Sequence, residues 1–188
     1  MIYLSVILAG GHSARMGQDK AELIWNNQPL WQHQRQILQG ADCENIVVAR
    51  NQDGYLQDSP QFLHYGPLAG FEAGLNALKK ISGDYLLVLP VDMPLITPKI
   101  IKKLVATAQK SQGKYAVIAY KNQVFPLILH ISTYDKLVDY LSHKRSVQGF
   151  IATLTKLEIE AEPDDDFRNT NTIIEWQNAL KANPLHKL

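Results

Sequence analysis

Leu86-Leu87-Val88-Leu89 is an unbroken apolar run of strand length, entered from Asp84 and left through Pro90. A strand with one wet face alternates apolar and polar residues, so a run without alternation must be covered on both faces. That cover comes from helices, and the chain supplies them between further short strands. The pattern predicts strands over Tyr3–Leu8, Ile46–Ala49, 84–89, 115–119, 124–131 and 157–161. Between them, helical spacing or start signals predict helices over 29–39, 68–80, 98–109, Tyr134–Leu141, 147–154 and 172–180, with a frayed tail over 183–188. In the 68–80 segment, Leu68, Phe71, Leu75 and Leu78 recur at the helical period. Strands alternating with helices favour an α/β fold with a mostly parallel sheet and helices on both faces. Ligands of such sheets bind beyond the carboxyl ends of the strands. Residues 10–20 and 90–94, each directly after an apolar strand, are therefore where function is expected.

With 188 residues the chain is long enough for a single domain with a sizeable core, and no repeat or linker divides it. The formal net charge is +1, so no global basic field argues for nucleic acid. The apolar stretch 1–11 has no basic flank and is too short to cross a bilayer, as is every later stretch. Cys43 stands alone, which rules out an intramolecular disulfide and suits a reducing cytoplasm. The six histidines show no metal-ligand spacing.

The strongest local signal is Leu8-Ala9-Gly10-Gly11-His12-Ser13-Ala14-Arg15-Met16-Gly17-Gln18-Asp19-Lys20. Glycines let backbone approach a ligand closely, and exposed N–H groups can cradle phosphate oxygens. Arg15 and Lys20 add positive charge. Two familiar phosphate motifs fail: Gly17 is followed by Gln18 where a P-loop needs lysine, and Gly10, Gly11 and Gly17 miss the dinucleotide spacing. Paired glycines alone read as an ordinary strand-to-helix turn; with Arg15 and Lys20 they read as a phosphate loop of another type.

This pattern, L-A-G-G-x-x-x-R-M-G-x-D-K, resembles the signature of sugar-nucleotide pyrophosphorylase-like nucleotidyltransferases. Pro29-Leu30-Trp31-Gln32-His33, Gly66-Pro67-Leu68-Ala69-Gly70, Val91-Asp92-Met93-Pro94 and Asn169-Thr170-Asn171-Thr172 look like the successive landmarks of molybdenum cofactor guanylyltransferases. The resemblance covers nearly the whole chain in order. It implies a Rossmann-like fold of the nucleotide-diphospho-sugar transferase type, with nucleotide held by the N-terminal half and acceptor by the C-terminal half. It also implies GTP and molybdopterin as substrates, Mg²⁺ as cofactor, and transfer of GMP to the molybdopterin phosphate with release of pyrophosphate. Molybdoenzyme-maturation proteins are the partners it points to, with the enzyme itself a monomer or weak oligomer.

The resemblance assigns Leu8, Ala9, Gly10, Gly11, Gly17 and Lys20 to the nucleotide, with Lys20, Arg15 and Asp92 as the catalytic groups. Asp92 follows the central apolar run between two prolines that stiffen its turn. It can anchor Mg²⁺, which takes one or two carboxylates plus substrate phosphates, or it can cap the next helix. Gly66, Pro67, Leu68 and Gly70 open a helix, either for tight packing or beside the nucleotide. Asn169 and Asn171 precede the last helix, as caps or as site residues. Lys144 and Arg145 read as surface cations or as contacts to the acceptor phosphate, and Asp164-Asp165-Asp166 as a solvated turn.

The attacking group is already an anion, so no strong general base is needed and none is evident. Catalysis would rest on positioning and charge neutralisation. Three departures from the family pattern bear on base choice and acceptor binding. The acidic guanine reader before Gly66 is replaced by the shortened 59–65 connection, with Asp58 the nearest acid. Ala49 stands where an asparagine is expected, with Asn51 two places on, and Ile173 replaces a proline. Guanine would then be read by backbone carbonyls over 63–66, or by Asp58 if its loop folds inward. A preference for GTP with a narrowed margin is expected. A transferase using CTP or a sugar phosphate, and a non-catalytic nucleotide binder, are the alternatives. A dehydrogenase is disfavoured by the failed dinucleotide fingerprint.

Overall fold

The computed structural model describes residues 3–10 and 19–183. In chain order, the strands are β1 (Tyr3–Leu8), β2 (Ile24–Trp25), β3 (Gln28–Pro29), β4 (Ile46–Ala49), β5 (Tyr85–Pro90), β6 (Val117–Tyr120), β7 (Leu127–His130) and β8 (Lys156–Ile159). The helices are α1 (Leu30–Gly40), α2 (Pro67–Lys80), α3 (Pro98–Ser111), α4 (Tyr134–Leu141), α5 (Val147–Ile151) and α6 (Ile173–Ala182).

Six strands form one mixed sheet in the order β4-β1-β5-β7-β6-β8. β4, β1 and β5 are mutually parallel, and β6 is parallel to β8. Only β7 among these strands is reversed, pairing antiparallel with both β5 and β6. The expected mostly parallel α/β sheet is therefore present. All six residues of β5 are buried, as its unbroken apolar run requires. One apolar layer joins Leu87 and Leu89 of β5 to α1 and α3, and the other joins Leu86 and Val88 to α2 and α4. Alternate β5 side chains thus serve opposite faces, and each face has its helices.

Sequence reasoning missed the β2–β3 hairpin. Its turn is Asn26-Asn27, with φ of 50° and 63°. Asparagine tolerates the left-handed region better than most residues and favours such tight hairpin turns, so the signal was present in the sequence. Part of the frayed-tail expectation also fails. Asn183 is 3% exposed and its amide donates to Asn26 Oδ1 at 2.6 Å, so the end of α6 is tied to the hairpin. Trp25 and Trp176 pack edge to face beside that bond. Residues 184–188 lie outside the described part.

The topology fixes which loops share one end of the sheet. The segments after β1, β4, β5, β6 and β8 all leave at the carboxyl end of the parallel strands. α2 starts at that end, and so does α6, which follows the 160–172 loop.

Candidate active site

β1 and β5 run side by side, and Val91 N–H still donates to Leu8 O at 3.0 Å beyond the strands. Asp92 follows directly, at the mouth of the sheet. Its carbonyl oxygen accepts from Thr170 N at 2.8 Å and from Thr170 Oγ1 at 3.1 Å. The 169–172 segment is thereby pinned onto the Asp92 turn.

Lys20 begins a short 3-10 turn, Lys20–Glu22, whose cap is Asp19: its carboxylate accepts from Ala21 N at 2.9 Å. The Lys20 ammonium donates to Asn171 Oδ1 at 2.7 Å and lies 3.5 Å from Asp92 Oδ2. Lys20, Asp92 and Asn171, far apart in sequence, meet here. The Lys20 and Asp92 side chains remain 18% and 22% exposed, so the cluster is recessed yet open to a solute.

The alternative roles of these residues are filled by others. α3 is capped by Thr97, whose hydroxyl accepts from Ile100 N, and not by Asp92. α6 is capped by Thr172 in a capping box with Glu175, which leaves the Asn171 side chain free for Lys20. Asn169, the residue before Thr170, is exposed.

Arg50, the residue after β4, is a site element that sequence reasoning missed. It is 7% exposed and forms ion pairs with both Asp19 and Glu22, on either side of Lys20. A buried guanidinium needs such partners. Their effect is to fix the backbone that carries Lys20 against the end of β4. Gly10 lies on the same strand end, where an added Cβ would meet Ala49 O at 3.6 Å and Arg50 Cα at 3.9 Å. Ala9 is buried and bonded to Ala49 O, while Leu8 is half-buried. Gly11, Arg15 and Gly17, together with His12, lie outside the described residues.

At the start of α2, Gly66 has φ 71° and ψ −154°, a conformation essentially reserved for glycine. Gly66 and Pro67 are exposed at the mouth, and no side chain caps the helix. Leu68 and Gly70 do not share that position. Leu68 is fully buried in the core, and Gly70 gives way to Leu8, whose Cδ2 would sit 2.6 Å from an added Cβ. These two positions serve helix–sheet packing and present no side chain to the mouth. Arg145, from the connection between α4 and α5, stacks over the Tyr65 ring at 3.8 Å. It is thus brought beside Tyr65, the residue before Gly66.

The loop after β4 returns along that strand. Leu56 bridges Ala49 in parallel, with Leu56 N bonded to Val48 O and Arg50 N to Leu56 O. This carries Asp58 past the end of β4. There Asn51 Nδ2 donates to Asp58 Oδ2 at 2.8 Å, and Asp58 N donates to Asn51 Oδ1 at 2.9 Å. The next residue, Ser59, donates its hydroxyl to Glu72 of α2 at 2.6 Å. Glu72 is 1% exposed and also accepts from Tyr134 of α4, so the base of this loop is anchored in the core.

The chain is similar to known proteins in sequence and in fold. A molybdenum cofactor guanylyltransferase from Xanthomonas euvesicatoria is 30% identical over 190 residues, spanning 97% of this chain and 96% of the relative. One from Pseudomonas fluorescens is 34% identical over 181 residues, spanning 89% and 88%. In fold, the chain resembles the molybdopterin-guanine dinucleotide biosynthesis protein A of Archaeoglobus fulgidus, with a TM-score of 0.78 at 17% identity and all of both chains covered. It also resembles a cytidylyltransferase from Leptospira borgpetersenii, with a TM-score of 0.72 at 17% identity over 99% of this chain and 89% of that one. With relatives of that identity along nearly its whole length, and residues 5–158 matching the domain itself, the chain belongs to the MobA-like NTP transferase domain family.

Proposed function

We propose that the protein transfers GMP from GTP to the terminal phosphate of molybdopterin and releases pyrophosphate. The convergence of Lys20, Asp92 and Asn171 at the carboxyl end of β1 and β5 carries this reading. Relatives named as molybdenum cofactor guanylyltransferases support the choice of substrates.

The donor set fits a divalent metal held largely by substrate. Asp92 offers one carboxylate, and no group of three or more acidic, histidine or cysteine side chains is poised for a metal among the described residues. Mg²⁺ suits such a site, because it accepts one or two carboxylates and completes its shell with phosphate and water. When bound, the metal would neutralise phosphate charge and help align the reacting groups. Lys20 supplies a second positive charge to the same phosphates, and Asn171 fixes where that charge sits. The exposed start of α2 at Gly66-Pro67, which no side chain caps, turns the positive end of the helix dipole toward the nucleotide. Arg145, above Tyr65, would supply a cation to the acceptor phosphate. No group needs to remove a proton from the attacking phosphate.

Asp58 restores the base reader that the sequence lacked on its face. Guanine presents N1–H and N2–H₂ on one edge, and a carboxylate accepts both. Asp58 keeps its Oδ1 free of any hydrogen bond among the described residues, while Asn51 holds Oδ2. On this reading the GTP preference rests on Asp58 and not on neutral carbonyls alone. Asp58→Asn is expected to lower kcat/KM for GTP by about 10–100-fold, the scale of a hydrogen bond to a charged group, with ATP and CTP little changed. Pyrophosphate release with each of the four nucleoside triphosphates and molybdopterin, for both proteins, checks this. A wild-type preference for CTP would replace the guanylyl reading with a cytidylyl one.

A further inference from the structure

Gln34 is fully buried on α1, among Leu30, Ile37 and Leu38 on the face turned to the core. Its Nε2 donates to Val91 O at 3.3 Å and to Met93 O at 2.8 Å, the carbonyls on either side of Asp92. The Asp92 carbonyl between them is taken by Thr170. The next one, Pro94 O, is bonded by the His33 ring at 2.9 Å. A carbonyl can only accept, so His33 Nε2 is the donor. Burial pushes the imidazole below its ordinary pKa, while the bond to Pro94 O pulls the other way. Four consecutive carbonyls, from Val91 to Pro94, are thus each held by a side chain from outside the turn.

Gln34 is an expensive choice for this place. Its Oε1 is buried with no hydrogen-bond partner among the described residues. Leucine or methionine would fill a similar volume without the orphaned Oε1, but would strip Val91 O and Met93 O of the donor that Gln34 supplies. What only the amide provides is a forked donor that brackets one residue. We infer that Gln34 is a positioning residue for Asp92, holding the turn so that the carboxylate faces Lys20 and the metal-bound phosphates. This rests on the metal reading of Asp92 above. The groups behind a metal ligand set its orientation, and losing one typically weakens a metal site about 10–100-fold.

The test is a double-mutant cycle of Gln34→Met and Asp92→Asn. The readout is Mn²⁺ binding to the protein complexed with a GTP analogue whose α–β bridge is a methylene, followed by water-proton relaxation, so no turnover is involved. Gln34→Met is expected to raise the half-saturating Mn²⁺ roughly tenfold and to leave metal-free binding of the analogue unchanged. It should add little once Asp92→Asn is present, because the two act through the same carboxylate. Gln34→Asn, an amide one methylene too short to reach the turn, should shift the metal titration as Gln34→Met does, which covers a methionine variant that does not fold. A wild-type metal titration in the Gln34 variants, with Asp92→Asn shifted, overturns the role of Gln34 alone. Fully additive shifts overturn it too. An unshifted titration in Asp92→Asn itself overturns the metal reading and this inference together.

Discussion

Lys20→Ala lowers turnover by about 10²–10³-fold, the usual cost of removing one preorganised charge from a site where charge develops. The protein stays folded. Lys20 is recessed but not buried, and the turn that carries it is fixed by other residues: Asp19 caps it, and Arg50 grips both Asp19 and Glu22. Because Asn171 Oδ1 holds the ammonium at 2.7 Å, the charge is placed before substrate arrives, and its loss falls on the reaction more than on the fold. Initial rates of pyrophosphate release, together with thermal melts of both proteins, measure the two effects separately. Wild-type turnover in Lys20→Ala would remove this lysine, and the loop before it, from the chemistry.

Asp92→Asn keeps the shape of the side chain and removes its charge. The turn around it is held through its backbone carbonyls by Gln34, Thr170 and His33, none of which depends on the carboxylate. Folding is therefore expected to survive. The half-saturating Mg²⁺ concentration should rise by roughly tenfold or more, as it does when a metal site loses support, and excess metal should recover part of the rate. A titration of activity against Mg²⁺ decides the matter. An unchanged curve would leave Asp92 as a support of its turn and nothing more.

The framework was legible because its signals are local. The unbroken run at Leu86–Leu89 demanded cover on both faces, and the residues after β1 and β5 then had to sit at the sheet mouth. That placement brought Asp92 and Lys20 into view, and the family resemblance gave them their expected roles. Asn171 was harder, since an asparagine before a helix is usually its cap. Only the structure shows that Thr172 takes that role and releases it. Asp58 depended on a loop conformation, the bridge from Leu56 to Ala49, that no periodicity encodes. Gln34 did leave a trace: it occupies a position of the apolar stripe with Leu30, Ile37 and Leu38. A polar residue on such a stripe signals a partner in the core without naming it. Arg50 was illegible for a similar reason, because its acidic partners are 28 and 31 residues away in sequence.

The single reversed strand has a mechanical consequence. β7 comes from the second half of the chain, yet it is laced to β5 of the first half through four paired positions, from Tyr85 opposite His130 to Val88 opposite Leu127. The seam between the halves is therefore a hydrogen-bonded ladder in the middle of a covered sheet. Swinging one half against the other would mean unzipping that ladder and wetting the apolar layers on both its faces. The two halves must travel as one slab. Whatever adjustment is needed to seat a nucleotide beside a bulky second substrate falls to the connections at the slab's rim, such as the 50–66, 121–126 and 142–146 segments, while the strand ends beneath them keep Lys20 and Asp92 in register.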